Sequence, residues 1–202
     1  MASPHPAPDA LLEEARKHWS AEPGLPAVPG QLVATRRALH SVAESVVSAA
    51  RLAATGNEIA LRWYPGGFGT PPFDDDRGAR VIRVEEAELV DACDGSERRA
   101  PLTSLRDTGA LVGDVVDTHE LAEERLEIDP AAAAFLGRWF CFATLVIAEA
   151  RAGARAALEP GLVHLWPEHF DVGVDVIAVG SGSGRVNLGA SPGDRQWEEP
   201  YL

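Results

Sequence analysis

Apolar residues along the chain follow two periods, one helical and one extended. Leu32, Leu39, Ala43, Val46, Ala50 and Ala53 fall at spacings of seven, four, three, four and three. That places them on one stripe of a helix over residues 32–55. Gly56-Asn57 follows, the pair expected of a left-handed C-terminal cap. A second long helix is predicted from residue 131 to about residue 157. Phe135, Leu136, Trp139, Phe140, Phe142, Leu145 and Val146 cover much of its circumference, so it should be central to the core. Arg151 and Arg155 then emerge into solvent in its later turns. Pro130 suits its first turn and Asp129 its N-cap. Residues 11–19 suggest a short helix, after which Pro23, Pro26, Pro29 and Gly30 hold the chain extended. This arm is expected to pack along the domain surface through Leu12, Trp19 and Leu25.

The extended period appears first over residues 58–64, where Ile59, Leu61 and Trp63 alternate with polar neighbours. Pro65-Gly66-Gly67 breaks that strand, residues 67–73 continue as an irregular loop, and residues 74–77 form a polar turn. Residues 79–84 and 88–91 form a hairpin pair, residues 97–101 a further strand, and a short helix starts near Thr103. In the second half, residues 161–166 and 170–179 read as strands, with Val172, Val174, Val176 and Ala178 on one side. A flexible turn over residues 181–184 leads to a hairpin partner at residues 185–188. Ser191-Pro192-Gly193-Asp194 suits a type II turn, and residues 199–202 look like the start of a strand. These elements predict an α+β fold, two long helices packed on antiparallel strands. Residues 1–30 are a peripheral arm and 31–202 a single domain. Trp63-Tyr64-Pro65-Gly66-Gly67-Phe68 and Trp166-Pro167-Glu168-His169-Phe170 echo one another, which suggests a duplicated helix-plus-strands unit with halves at 31–113 and 130–202.

Charge refines this layout. Residues 114–129 hold seven acids and the single base Arg125, the composition of a solvated linker. The formal net charge is −13 over 202 residues, a field that repels phosphate backbones and anionic membranes, so nucleic-acid and membrane partners are set aside. Only about ten apolar residues follow Arg138, against the ~20 that span a bilayer, which favours a core helix over a membrane span. The N-terminus has no apolar core of a secretion signal. Cys93 and Cys141 stand in unrelated contexts, as thiols of a reducing compartment do, and Cys141 reads as a small buried hydrophobe. A cytoplasmic location is the expectation. Nothing fixes the oligomeric state.

The densest chemistry lies at His164-Leu165-Trp166-Pro167-Glu168-His169-Phe170-Asp171. Pro167 must interrupt any strand ladder, so Glu168, His169 and Asp171 project from a bend. Glu168, His169 and Asp171 are the catalytic candidates, with Asp171 orienting His169 as an acid/base pair. His164, His169 and Asp171 are candidate metal ligands, since imidazole with carboxylate suits a divalent metal. The alternative is a polar turn with Trp166 and Phe170 in the core. A divalent metal is the one cofactor these patterns admit, and none is required. The glycines Gly66, Gly67 and Gly69 can bring backbone N–H groups close to a ligand, or simply make a rigid turn that buries Phe68 and Phe73. The loop is neither a Walker loop nor a dinucleotide fingerprint. Asn187 and Asp194 could line a pocket or belong to a turn. Ser191 has the G-x-S-x-G spacing without the strand-to-helix context of a nucleophile elbow. His119-Glu120 fails the H-E-x-x-H pattern because residue 123 is Glu. His40 and Glu44 lie one turn apart beside the apolar stripe, either as a surface pair or facing the His169 pocket.

Over residues 37–202 the chain resembles a family of uncharacterised bacterial proteins, actinobacterial in type. The resemblance rests on Ala38-Leu39-His40, Ala54-Thr55-Gly56, the Pro65-to-Phe73 glycine-proline loop, Asp129-Pro130 with the alanines after it, Leu165-Trp166-Pro167-Glu168-His169-Phe170-Asp171, and Gly189-Ala190-Ser191-Pro192-Gly193-Asp194 with Glu199-Pro200-Tyr201-Leu202. It implies a cytoplasmic protein without an assigned activity and carries over no catalytic residues. Members of that family run a few residues past Leu202, which implies that the last strand is cut short. Two functions follow from the residues. In one, the chain binds a small polar ligand, with or without a divalent metal, in a cleft at the His169/Asp171 corner, and whether it is an enzyme stays open. In the other, it is a non-catalytic structural or protein-interaction protein whose distinctive segments are rigid turns around aromatic anchors.

Overall fold

A computed structural model of the chain describes residues 8–56, 60–113, 116–153, 158–160, 162–178 and 185–202. The sequence expectations for Asn57, Glu58, Ile59, Asp114, Arg155, residue 157, residue 161 and residues 179–184 lie outside them, as do those for the side chains of Val176 and Ala178.

The fold is α+β, with α5 (Pro130–Ala152) at its centre. Asp129 accepts the Ala132 N–H through Oδ1 at 2.9 Å and Pro130 opens the first turn, as read from the sequence. By length and composition α5 could cross a membrane, but 67% of its apolar window is buried inside the fold. Gly153 caps the helix, earlier than the sequence pattern suggested.

The helix over 32–55 is interrupted. It runs as α2 (Leu32–Val42), a π-helical segment (Ala43–Ser48) and α3 (Ala49–Thr55), and ends at Gly56 with φ +68°. A π segment inserts the equivalent of one residue, turning the helix beyond it by about 100°. Val42, Ala43, Val46, Val47 and Ala50 are therefore all at 0% exposure. Ala53, expected on the apolar stripe, is exposed, and Ala54 packs against the core in its place. The N-terminal helix α1 (Pro8–Ala21) lies on α5 through Leu11, Ala15 and Trp19, not through Leu12 and Leu25, and Leu25 is exposed. Arg138 fastens the chain after it, donating to Glu22 Oε2 at 3.1 Å and Gly24 O at 2.7 Å with its guanidinium over Trp19.

Two antiparallel sheets flank α5. The larger has the order β1 (Arg62–Tyr64), β2 (Gly67–Gly69), β4 (Gly78–Glu85), β5 (Glu88–Cys93), β6 (Ser96–Pro101), with β3 (Phe73–Asp75) also on β4. The expected irregular loop over 67–73 thus contains a strand and leads into another. The smaller has β10 (Arg185–Ala190), β9 (Asp171–Ala178) and β7 (Leu158–Pro160), with β8 (His164–Trp166) also on β9. Paired backbone hydrogen bonds between Leu61 and Leu165, at 3.0 and 2.9 Å, join the two sheets.

The acidic stretch is less a linker than expected. Its acids are largely exposed, but its backbone is pinned to α4 (Leu105–Val112): Arg106 donates to Thr118 O at 3.1 Å and pairs with Glu123, and Leu126 N–H reaches Thr103 O at 2.8 Å.

Candidate functional site

The β8–β9 hairpin sets up the site. Trp166 pairs with Asp171, and the four residues between them form a turn closed by Phe170 N–H to Trp166 O at 2.7 Å. Pro167 is buried in this turn while Glu168 and His169 are exposed at its tip. Phe170 has φ +55°, a left-handed conformation that costs a bulky residue of order 1–3 kcal/mol. Burial offsets that cost. Phe170 meets Phe140 and Phe68 edge-on at 5.1 and 5.2 Å, and His40 stacks on it at 5.3 Å with 8° between the planes.

Strand alternation then sorts the smaller sheet. Leu165, Val172 and Val174 turn into the core. His164, Trp166, Asp171, Gly173, Asp175, Asn187 and Gly189 share the outer face, because His164 is opposite Gly173, Asp175 opposite Asn187 and Gly173 opposite Gly189. The cross-strand glycine pair leaves a floor without side chains. The indole of Trp166 lies against Gly173, with Nε1 3.4 Å from where a Cβ would be. The result is a trough of about 250 Å³ lined by Trp166, His169, Asp171, Asp175 and Asn187 along with the glycines.

His169 also borders a second cleft of about 610 Å³, where α2 contributes His40, the π segment Glu44 and the C-terminal loop Asp194. His169, Asp171, Glu168, Asn187, Asp194 and His40 therefore gather around one corner, divided between two adjoining depressions. Gly66, Gly67 and Gly69 are elsewhere. They form the β1–β2 hairpin under α5, where a Cβ on Gly137 would come within 2.6 Å of the Gly66 backbone and a Cβ on Gly67 within 2.2 Å of Val84 O. Their use is close packing of backbone on backbone, and they line neither depression. The two Trp-Pro-Phe corners are both hairpins, but Trp63 is buried with its indole N–H on Gly137 O at 3.1 Å, whereas Trp166 lies on an outer face.

His164 is separated from His169 by Trp166, against which its ring packs edge-on at 5.9 Å. Among the described residues no three His, Cys, Asp or Glu side chains gather as a metal-binding set, so His164, His169 and Asp171 do not form one. Comparisons with family models, curated proteins and solved structures find no match to the chain. The site is read from its own residues.

Two carboxyls at the corner differ in their electrostatics. Burial pushes the Asp171 carboxyl above the ordinary carboxylate range, against the opposing pull of His169. Asp171 thus holds a proton more readily than a solvated aspartate. Asp194 is held below that range by the N–H groups of Trp197 and Gln196 and the Tyr201 hydroxyl. Burial, with Arg51 nearby, lowers His164, partly offset by Asp175.

Sequence reading missed Gly173, Gly189, Trp166 as an outer-face wall, Asp175 and the arginines of α2. One signal was present: a glycine inside an alternating strand marks a bulge or close approach, and Gly173 and Gly189 each interrupt such a strand.

Proposed function

We propose that the chain binds a small polar ligand in the trough at the His169/Asp171 corner. The observation that carries this reading is the Gly173–Gly189 floor, a gap in an otherwise filled sheet face that an indole borders and Asp171, Asn187 and His169 surround. An apolar ring beside a few convergent polar groups is the usual make-up of a small-molecule site. Asp171, with its raised affinity for a proton, and His169 give the corner acid/base capacity.

The test is a thermal-shift screen of small polar compounds, chosen to include sugars, polyols, amino acids and amines. A ligand at a hundred times its Kd stabilises the fold by about 2.7 kcal/mol. The expected result is a compound that raises the Tm of the parent and loses at least tenfold in affinity with Asn187→Ala and with Trp166→Ala. The reading fails if no compound binds, or if every compound that binds is indifferent to both substitutions.

The second reading, a protein-interaction role, draws on a different observation. Trp197, Tyr201 and Leu202 are exposed together on the C-terminal loop, at 62%, 42% and 66%. Loss of partner binding on Trp197→Ser with the trough variants unaffected would favour it.

A further inference from the structure

The second cleft at this corner has a chemistry of its own. Four segments build it: α2, the start of the π segment, the tip of the β8–β9 turn, and the C-terminal loop. We infer that this cleft is a site for a small oxyanion, a carboxylate or phosphate group held between Arg37 of α2 and Arg195 of the C-terminal loop.

The first ground is charge. On a chain with a formal net charge of −13, eight of the seventeen arginines are committed to carboxylates among the described residues: Arg16, Arg77, Arg80, Arg83, Arg98, Arg99, Arg106 and Arg138 all sit in ion pairs. Arg37 and Arg195 form no ion pair among the described residues, and they reach one cleft from opposite ends of the sequence. A guanidinium fork matches the geometry of a carboxylate or phosphate, and two of them facing one space make a bidentate clamp.

The second ground is that the nearest acids do not neutralise them. The Asp194 carboxylate is occupied, Oδ1 by the N–H groups of Gln196 and Trp197 at 2.6 and 2.7 Å, and Oδ2 by the Tyr201 hydroxyl at 2.7 Å. Glu44 and Glu168 are exposed in the cleft lining, in ion pairs with neither arginine.

The third is rigidity. Arg36, 4% exposed, donates to the carbonyls of Asp194, Glu198 and Pro192 at 2.7, 2.9 and 3.4 Å, which fixes the loop that carries Arg195. Gly193 leaves the space for it: with φ +104°, a Cβ there would lie 2.1 Å from Arg36 Nη1. On the opposite wall His40 lies flat against Phe170, and its buried Nε2 has no hydrogen-bond partner among the described residues. A buried polar atom left unanswered in a native fold calls for an explanation, of which a bound group or water is one.

The inference does not depend on what occupies the trough. The experiment titrates the full chain with inorganic phosphate and, separately, with acetate, at constant ionic strength held by sodium chloride, and reads Tm and Trp fluorescence. The two arms distinguish a phosphate ligand from a carboxylate. Saturable binding of at least one anion is expected, weakened at least tenfold by Arg195→Gln and by Arg37→Gln, only partly by Arg195→Lys, and strengthened by Glu44→Gln. Circular dichroism of Arg195→Gln, an exposed loop position, checks the fold. Trp166→Ala should leave anion affinity within about twofold. A response that never saturates, or equal affinity in parent and both glutamine variants, overturns the inference. So does loss of anion binding on Trp166→Ala, which would put the anion in the trough and leave the proposed function standing.

Discussion

Both sheets carry polar side chains beside aromatic rings, and they treat them differently. In the six-stranded sheet Arg80, 1% exposed, lies within 6.0 Å of the Phe73 ring and has each guanidinium nitrogen answered: Nε and Nη2 by Asp91 at 2.6 and 3.0 Å, Nη2 also by Val112 O at 2.7 Å, and Nη1 by Asp75 at 2.9 Å. This saturated cluster ties β3, β4, β5 and α4 together. On the four-stranded sheet the groups at the corner are open. Asp171 and Asn187 border a trough, His169 stands exposed, and His40 keeps a nitrogen unpartnered among the described residues. A saturated buried network has nothing left to offer a ligand, whereas an open one leaves donors and acceptors that water or a bound group can answer. The first region holds the fold, and the second is where binding is to be sought.

The sharpest way to break this contrast is Arg80→Ala. It removes the buried cation that Asp75 and Asp91 share, while Arg98 keeps its pair with Asp91 and Arg77 stays near both carboxylates, so the loss should fall at the lower end of the about 3–5 kcal/mol that removing one partner of a buried pair costs. Urea unfolding should show that loss at an unchanged m-value. A loss below about 1 kcal/mol would mean that the cluster is not what fastens the larger sheet.

A change at the open sheet should do the reverse. A Cβ on Gly189 would meet only Val172 O, at an ordinary 3.7 Å. Gly189→Ala should therefore leave stability unchanged or raise it by up to about 1 kcal/mol, because glycine in a strand is entropically expensive. The same methyl stands on the trough floor and should weaken the ligand recovered by thermal-shift screening at least tenfold. Gly173→Ala is the contrasting variant. Its Cβ would lie 3.2 Å from Leu188 O, tighter than an ordinary contact, and 3.4 Å from the Trp166 indole, so the β10 backbone must give by a few tenths of an ångström, and both stability and affinity should fall. Equal affinity in parent and Gly189→Ala would remove the trough from consideration.

How far the sequence carried depended on the range of the interactions involved. Local chemistry was legible: the Asp129 cap with Pro130, the left-handed Gly56, the β4–β5 hairpin and the alternation in β9 each depend on residues within a turn or a strand of one another. The π segment was not, because Leu32 to Ala50 read equally well as one regular stripe and only tertiary packing selects Ala54 over Ala53. The glycine-proline loop misled for a related reason. Gly66 and Gly67 do mark a close backbone approach, but the approaching group is Gly137 of α5, seventy residues downstream, and not a ligand. His40, His169 and Asn187 were legible as residue types, while their meeting depends on the cross-strand registers and on α2 packing over the β8–β9 turn. The arginines of the anion cleft escaped notice because a basic pair on a strongly acidic chain reads as nothing until both ends of the chain are placed.

The smallest expected effect is local, and its sign separates the two carboxyls at the open corner. Asp194 is held below the ordinary aspartate value of ~3.9 by the N–H groups of Trp197 and Gln196 and by the Tyr201 hydroxyl. A depressed folded pKa means that its contribution is fully present above the ordinary value and drains as pH falls through the folded one. Asp171, raised by burial, has the opposite sign: its contribution is present below the ordinary value and is lost as pH rises through the raised one. Acidification should therefore protonate Asp171 first, while the C-terminal loop stays fastened, and only below the ordinary aspartate value should the loop release. An NMR titration of the Gln196 and Trp197 amides, which both donate to Asp194 Oδ1, reads this directly. Their shifts should stay flat until below pH 4 in the parent, and the low-pH transition should be missing in Asp194→Asn. A midpoint at or above the ordinary aspartate value would show that the loop is not held by this carboxylate, and the wall that carries Arg195 would then be soft.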